Sequence, residues 1–122
     1  MPERPILVID DDDAIRLTVV DVLESEGYSV ATATNGADGL HVLEQVHPAL
    51  VLLDMRMPIL DGWGFAKALR ERGAKVPIVV VTAAHDAHRW AREIDAAAVV
   101  AKPFDLADLL DAVQRYYAPG AA

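Results

Sequence analysis

The sequence predicts an α/β fold in which a parallel β-sheet is covered by helices on both faces. Short apolar runs rich in β-branched residues recur along the chain, and such runs are typical of strands that are buried on both faces. Segments with helical apolar spacing alternate with them, which implies a parallel sheet with helical connections. With 122 residues, of which 53% are hydrophobic and 25% charged, the chain fits one globular domain.

Each predicted strand is an apolar run bounded by polar or turn residues. The five runs lie at residues 6–9, 28–31, 50–53, 77–81 and 97–101. The second run has the weakest pattern of the five.

Helical spacing is clearest in two segments, one after the first strand and one at the end of the chain. Their apolar positions are Ile15, Val19, Val22 and Leu23, then Leu106, Leu109, Leu110 and Val113. Gly27 and Gly73 are predicted helix ends, because glycine adopts the left-handed conformation that closes many helices. Asp13 is the predicted N-cap of the first helix.

The charge balance restricts the partners. Eleven basic and nineteen acidic residues give a net charge of −8, which disfavours direct binding to nucleic acid or to anionic membranes. The chain has no cysteine, so disulfides and thiolate sites are excluded. It has no signal-peptide pattern and no run of about 18 apolar residues, so we expect a cytoplasmic protein without a membrane span.

Polar residues follow four of the predicted strands where each strand ends. Asp10 and Asp11 follow the first strand, Asp54 the third, Thr82 the fourth and Lys102 the fifth. Because parallel strands end at one edge of the sheet, these side chains are expected to converge there. Taken singly, Thr82 could instead be a helix N-cap and Lys102 a solvated surface lysine.

Three carboxylates at one site repel each other unless their pKa values rise or a cation lies among them. Magnesium prefers oxygen ligands and often combines one or two carboxylates with a phosphate oxygen. Asp11, Asp54 and a nearby backbone carbonyl would suit it. With that charge neutralised, a carboxylate can act as a nucleophile toward a phosphoryl group, so the pattern indicates phosphoryl-transfer chemistry.

At these residues the sequence resembles the receiver domain of two-component response regulators, in particular the single-domain, chemotaxis-regulator-like type. The matching segments are ILVIDDD at 6–12, VLLDMRMPILDG at 51–62, VVVTAA at 79–84 and AKPF at 101–104. The resemblance implies a flavodoxin-like sheet with strand order 2-1-3-4-5 and five helices. It covers about residues 5–117, which leaves 118–122 as a tail or a truncated linker, and we interpret the chain as a stand-alone receiver.

The resemblance implies a role for each residue of the acidic site. Asp54 would be the phosphoacceptor and a ligand of Mg²⁺ or Mn²⁺, together with Asp11 and the backbone carbonyl of Arg56. Asp10 would reach the metal through water. A sensor histidine kinase or a histidine phosphotransfer protein would supply the phosphoryl group, and the chain would be a phosphoacceptor switch and not an enzyme.

The resemblance also implies that Thr82 and Lys102 contact the phosphoryl oxygens. Pro58 and Gly62 would shape the loop after the acceptor, and a cis peptide would join Lys102 to Pro103. Phosphorylation would change a surface that binds a downstream target, and that target is unknown. The candidate residues of this surface are Trp90, Val99, Leu106 and Tyr116. Trp90 could equally be a core residue.

One departure from the family pattern is Val99, which stands where many receivers carry an aromatic residue that moves on phosphorylation. Aromatic switching at that position is therefore not expected. Two alternatives to the phosphorylation switch are a degenerate receiver that acts as an unphosphorylated docking module and a phosphohydrolase of the haloacid-dehalogenase type. His85 and His88 could share a metal, but two solvated histidines are the simpler interpretation.

Overall fold

The computed structural model describes residues 4–83, 85 and 87–117, and these residues form five strands that alternate with five helices. The elements are β1 (Ile6–Ile9), α1 (Asp13–Ser25), β2 (Val30–Ala33), α2 (Gly36–Val46), β3 (Leu50–Leu53), α3 (Gly62–Glu71), β4 (Ile78–Thr82), α4 (Ala87–Glu93), β5 (Ala98–Ala101) and α5 (Leu106–Tyr116). No helix of this described part is long and apolar enough to cross a membrane. The predicted tail at 118–122 lies outside the described residues.

The strands form one parallel sheet in the order β2-β1-β3-β4-β5, which confirms the order that the resemblance implies. β1 pairs with β3 so that Ile9 lies beside Leu53, and β4 pairs with β5 so that Thr82 lies beside Ala101. The fold is therefore flavodoxin-like. Because all the strands point the same way, the residues that follow them share one edge of the sheet.

The prediction for β2 was wrong by two residues, since the strand begins at Val30 and not at Tyr28. The Tyr28 backbone N–H donates to the carbonyl of Leu23 and so still belongs to the turn that closes α1. The ring of Tyr28 packs edge-on against Tyr117, with 5.1 Å between the centroids. The first residue of β2 in register with β1 is Val30, which lies beside Ile6.

The other strand boundaries differ by one residue at most. β4 and β5 each begin one residue later than predicted. Thr82 is the last residue of β4 and is 2% exposed, so it belongs to the strand and is not an N-cap.

The N-cap of α1 is Asp12, so the prediction of Asp13 was wrong by one residue. A carboxylate oxygen of Asp12 accepts the backbone N–H of Ile15 at 3.0 Å, and this bond satisfies one of the free N–H groups of the first turn. Asp13 is the first helical residue and pairs with Arg16 at 2.6 Å. Gly27 has a φ of +90°, the left-handed conformation predicted for a residue that follows a helix.

Alternate residues of the strands face two apolar layers. One layer lies between the sheet and α2, α3 and α4, where Ile9, Leu53 and Phe65 are buried. The other lies between the sheet and α1 and α5, where Val8, Leu52 and Leu109 are buried. Trp90 of α4 is 6% exposed and belongs to the first layer, so it is a core residue.

The remaining residues of the predicted signalling surface differ in burial. Val99 packs partly buried against the layer that contains Trp90, whereas Tyr116 packs against the opposite layer. Leu106, at the start of α5, is 43% exposed. The four candidates therefore do not form one exposed face, because Trp90 lies within the core.

Candidate functional site

Strand register brings the predicted site residues to one edge of the sheet. The backbone N–H of Asp54 donates to the carbonyl of Ile9 at 3.0 Å, which fixes the end of β3 beside the end of β1. In the same way the N–H of Lys102 donates to the carbonyl of Thr82 at 2.8 Å. These bonds extend the ladder one residue past the strands, so Asp54 and Lys102 lie at the same edge as Asp10.

Asp10, Asp11 and Asp54 form an acidic cluster. One carboxylate oxygen from each residue can be chosen so that all three lie within 4.8 Å of one another. Asp10 and Asp54 are buried and Asp11 is exposed. Three oxygen ligands at this spacing, open to solvent on the side of Asp11, suit a hard divalent cation such as Mg²⁺. The cluster could therefore hold a metal ion.

Lys102 supplies the positive charge beside the cluster. Its Nζ lies 2.8 Å from Oδ2 of Asp10 and 3.7 Å from Oδ2 of Asp54. The lysine side chain is only 13% exposed, which excludes the interpretation as a solvated surface lysine. Two buried carboxylates thus share one ammonium group.

Both carboxylate oxygens of Asp10 already have protein partners. Oδ1 accepts a hydrogen bond from the backbone N–H of Asp12 at 2.9 Å, and Oδ2 accepts one from Nζ of Lys102 at 2.8 Å. The carbonyl of Asp10 is held by the guanidinium of Arg16 at 2.9 Å. Asp10 is therefore fixed in place on three sides.

Burial raises the pKa of the Asp54 carboxyl from 3.8 to about 6. The charge of Lys102 lowers the pKa, the charge of Asp10 raises it, the backbone N–H of Arg56 lowers it and the charge of Asp11 raises it. Desolvation prevails because the ammonium group is 3.7 Å away and is shared with Asp10. Asp54 is thus a largely ionised carboxylate near pH 7 that would gain from a further cation.

The loop after Asp54 turns back sharply onto the end of β3. The N–H of Arg56 points at Oδ1 of Asp54, 3.4 Å away, and the N–H of Gly62 donates to the carbonyl of Met55 at 2.9 Å. A Cβ at position 62 would lie 2.8 Å from Cα of Met55, so the close approach requires glycine. The loop therefore returns past Asp54 before α3 begins.

Ile59 occupies a strained position in the same loop. Its φ is +72°, and the N–H of Leu60 donates to the carbonyl of Pro58 at 2.8 Å, which closes a three-residue turn around it. A β-branched residue rarely adopts a positive φ. Ile59 is also 81% exposed, so apolar burial does not offset this strain.

The structure also places the remaining predicted features. The Lys102–Pro103 peptide is cis, as the resemblance implies. His85 and His88 are both exposed, and the acidic cluster is the one group of three or more potential metal ligands found among the described residues. Their exposure agrees with two solvated histidines, and the absence of a shared metal stays a prediction.

The contacts of two side chains near the site were not predicted from the sequence. Arg16 holds the carbonyl of Asp10, and only its i,i+3 spacing from Asp13 could have indicated a position near the acidic run. The side chain of Arg56 lies over the ring of Trp90, with 5.2 Å between the guanidinium carbon and the ring centroid. No local pattern signals that contact, because the two residues are far apart in the chain.

Comparison with known proteins places the chain in a family. The family model described as the response regulator receiver domain matches residues 6–114. The sporulation initiation phosphotransferase F of Bacillus subtilis (strain 168) is 34% identical over 118 residues, which are 95% of each chain. Response regulator MprA of Mycobacterium sp. (strain KMS) is 40% identical over 112 residues, which are 90% of this chain and 48% of that protein.

Solved structures give the same result. The chemotaxis protein CheY4 of Vibrio cholerae superimposes with a TM-score of 0.85 and 28% identity, over 94% of this chain and 99% of that one. The receiver domain of NtrX from Brucella abortus superimposes with a TM-score of 0.85 and 27% identity, over 92% of this chain and 97% of that one. With the family match, the sheet order and the acidic edge in agreement, the chain belongs to the response regulator receiver domain family of two-component systems.

Proposed function

We propose that the chain is a phosphorylation switch in which Asp54 accepts a phosphoryl group. The donor would be a sensor histidine kinase or a histidine phosphotransfer protein. The observation that carries the proposal is the position of Asp54, a buried carboxylate between two other aspartates and one lysine at the carboxyl edge of the sheet. Family membership supports the same function.

Mg²⁺ or Mn²⁺ would be held by Asp11, Asp54 and the backbone carbonyl of Arg56, with Asp10 contributing through water. The engagement of both Asp10 oxygens by Asp12 and Lys102 supports an indirect role for Asp10. The metal supplies positive charge that offsets repulsion between the acceptor and the incoming phosphoryl oxygens. The three carboxylate oxygens of the cluster are the ligand type that these ions prefer.

In the transfer step an oxygen of Asp54 forms a bond to phosphorus while the bond between phosphorus and the imidazole nitrogen of the donor breaks. The electron pair of that bond stays on the imidazole, which leaves as a neutral ring after taking up a proton. Lys102 and Thr82 would contact the phosphoryl oxygens once these occupy the edge of the sheet. Lys102 is well placed for this, since its Nζ lies 3.7 Å from the acceptor carboxylate.

The chain would be an acceptor and not an enzyme in the ordinary sense, because its own side chain carries the product of the reaction. The downstream target would be another protein, since the net charge of −8 disfavours nucleic acid and anionic membranes. Cytoplasmic location remains a prediction from the sequence. The phosphohydrolase alternative loses support, because the candidate nucleophile ends β3 in this receiver fold and not β1.

Intact-protein mass after incubation with acetyl phosphate, with and without Mg²⁺, tests this function. We expect wild type to gain one phosphoryl group in a Mg²⁺-dependent manner and Asp54→Asn to gain none. Asp12→Asn is the matched control, because it removes one nearby carboxylate while asparagine retains the capping oxygen. It should be phosphorylated as wild type is.

Two outcomes would contradict the proposal. Acid-labile phosphate retained by Asp54→Asn would place the acceptor elsewhere. No gain by folded wild type, either from acetyl phosphate or from a phosphorylated histidine phosphotransfer protein, would favour the docking module that is never phosphorylated.

A further inference from the structure

We propose that the side chain of Arg56 is a positioning group that carries the state of the acceptor site to helix α4 through its contact with Trp90. The inference rests on the proposed function, because it names the route by which occupancy of that site would change the shape of the protein. It assigns the guanidinium a role separate from that of the Arg56 backbone carbonyl.

The backbone N–H of Arg56 lies close to the carboxylate of Asp54. This N–H points at Oδ1 of Asp54 from 3.4 Å and lowers the pKa of that carboxyl. Converting the carboxylate into a phosphorylated group changes the charge and the shape that this N–H faces. The peptide at position 56 is therefore among the first backbone groups to respond to occupancy.

The side chain of Arg56 ends on a different element. Its guanidinium carbon lies 5.2 Å from the ring centroid of Trp90, within the range of a cation–π contact, and tryptophan is the ring that binds cations best. Trp90 in turn packs edge-on against Trp63, with 4.7 Å between centroids and 69° between the ring planes. The indole N–H of Trp63 donates to Glu93 at 3.2 Å.

Arg56, Trp90 and Trp63 therefore form a cluster that joins three parts of the fold. Arg56 belongs to the loop after the acceptor, Trp63 to the first turn of α3, and Trp90 to α4. Because the indole N–H of Trp63 also donates to Glu93, the cluster contacts α4 at two residues, Trp90 and Glu93. A movement of the loop changes the position of the guanidinium over the ring that anchors α4.

Helix α4 is the element best suited to respond. It has seven residues, the fewest of any described helix, and helices this short depend on tertiary contacts for stability. Its buried residues are Ala87, Trp90 and Ala91, so Trp90 is the large side chain that anchors it. Val99 of the neighbouring strand is partly buried and carries no ring, whereas Trp63 and Arg56 both lie against the ring of Trp90.

Hydrogen exchange of the full chain tests the inference, with beryllofluoride and Mg²⁺ as a stable mimic of the phosphoryl group. Exchange of residues 87–93 is compared with and without the mimic in wild type, Arg56→Met and Arg56→Lys. Saturation by the mimic is established separately for each protein by fluorine NMR. Arg115→Met is the matched control, because Arg115 is an exposed arginine paired with Asp111 on α5.

In wild type the mimic should change the exchange rate of 87–93 by about two- to five-fold, the factor that corresponds to a cation–π contact. Arg56→Met should lose at least half of that change on a logarithmic scale. Arg56→Lys should retain most of it, because lysine keeps the cation, and Arg115→Met should behave as wild type.

The outcomes separate this inference from the function on which it rests. A full response of 87–93 in Arg56→Met, or a response lost equally in Arg56→Lys, would overturn the role of the cation. Mimic bound to wild type without any change in 87–93 would overturn the link to α4 and leave the acceptor function standing. If neither wild type nor any variant binds the mimic, both the link to α4 and the acceptor function would be overturned.

Discussion

Replacing Asp54 by asparagine removes a charge that burial disfavours, so we expect Asp54→Asn to be more stable than wild type near neutral pH without divalent metal. Burial raises the pKa of this carboxyl to about 6 from 3.8. The folded protein therefore binds the Asp54 proton more tightly than the unfolded chain does. The favourable contribution of the neutral carboxyl is complete below pH 3.8 and is lost as the pH rises through about 6.

The structure bounds the size of this effect. The pKa is about 6 in the folded protein and 3.8 for the free group. At roughly 1.4 kcal/mol per pKa unit, ionisation of Asp54 costs at most about 3 kcal/mol of stability when the pH is above both pKa values. Asp54 lies at an edge of the sheet that water reaches through the exposed Asp11, and solvent screening lowers this bound. We therefore expect Asp54→Asn to raise the free energy of unfolding by about 1–3 kcal/mol at pH 7.5.

Urea denaturation in EDTA, at pH 7.5 and pH 4.5, measures the effect. At pH 4.5 the advantage of Asp54→Asn should fall to about a third of its value at pH 7.5, because wild-type Asp54 is then mostly protonated in the folded state. Asp12→Asn controls for the loss of one nearby negative charge. Equal stability of Asp54→Asn and wild type at pH 7.5, or an advantage that does not depend on pH, would refute the reasoning.

Three further variants test other features of the site. Lys102→Ala should lower the free energy of unfolding by about 3 kcal/mol without metal, because Asp10 would stay buried without its ammonium partner. The variant should bind Mg²⁺ nearly as wild type does, which titration calorimetry checks. Its conformational response to phosphorylation should be weaker than that of wild type. Ile59→Gly should raise the free energy of unfolding by about 0.5–1 kcal/mol in urea, because glycine adopts the positive φ without strain, and a loss of stability would contradict that account. Gly36→Ala should lower it by about 1–3 kcal/mol, because a Cβ there would meet the backbone carbonyl of Leu60, and a neutral result would show that the loop can yield.

The parts of the fold that the sequence predicts best are those buried on both faces. β1 and β3 lie where the apolar runs predict them, because every residue of both strands is buried and an aspartate follows each strand. β2 is an edge strand with partly exposed residues, so its apolar pattern does not mark its ends. Tyr28 belongs to the turn that closes α1, where its N–H donates to the carbonyl of Leu23 and its ring packs against Tyr117, and no local pattern reveals these contacts.

The site follows the same rule. Asp10, Asp54 and Lys102 could be placed from the sequence because strand ends converge at one edge of a parallel sheet. The contacts of the Arg16 and Arg56 side chains could not be placed, because they depend on side-chain direction and on partners far along the chain or on another element. Periodicity locates elements, whereas such contacts arise from the packing of elements against each other.

The charges around Asp54 show how a single covalent change could act as a signal there, as the proposed function requires. Three carboxylates and the ammonium of Lys102 leave a formal charge of −2 when all are ionised, which one divalent cation would neutralise. Mg²⁺ should therefore stabilise wild type more than Asp54→Asn and narrow the difference between them. Under the proposed function, phosphorylation of Asp54 would then add about one negative charge to a nearly balanced site, and the backbone N–H of Arg56 would face that charge. The guanidinium of Arg56 lies over the ring of Trp90, which anchors α4. Arg56 therefore faces the added charge with its backbone and contacts α4 with its side chain.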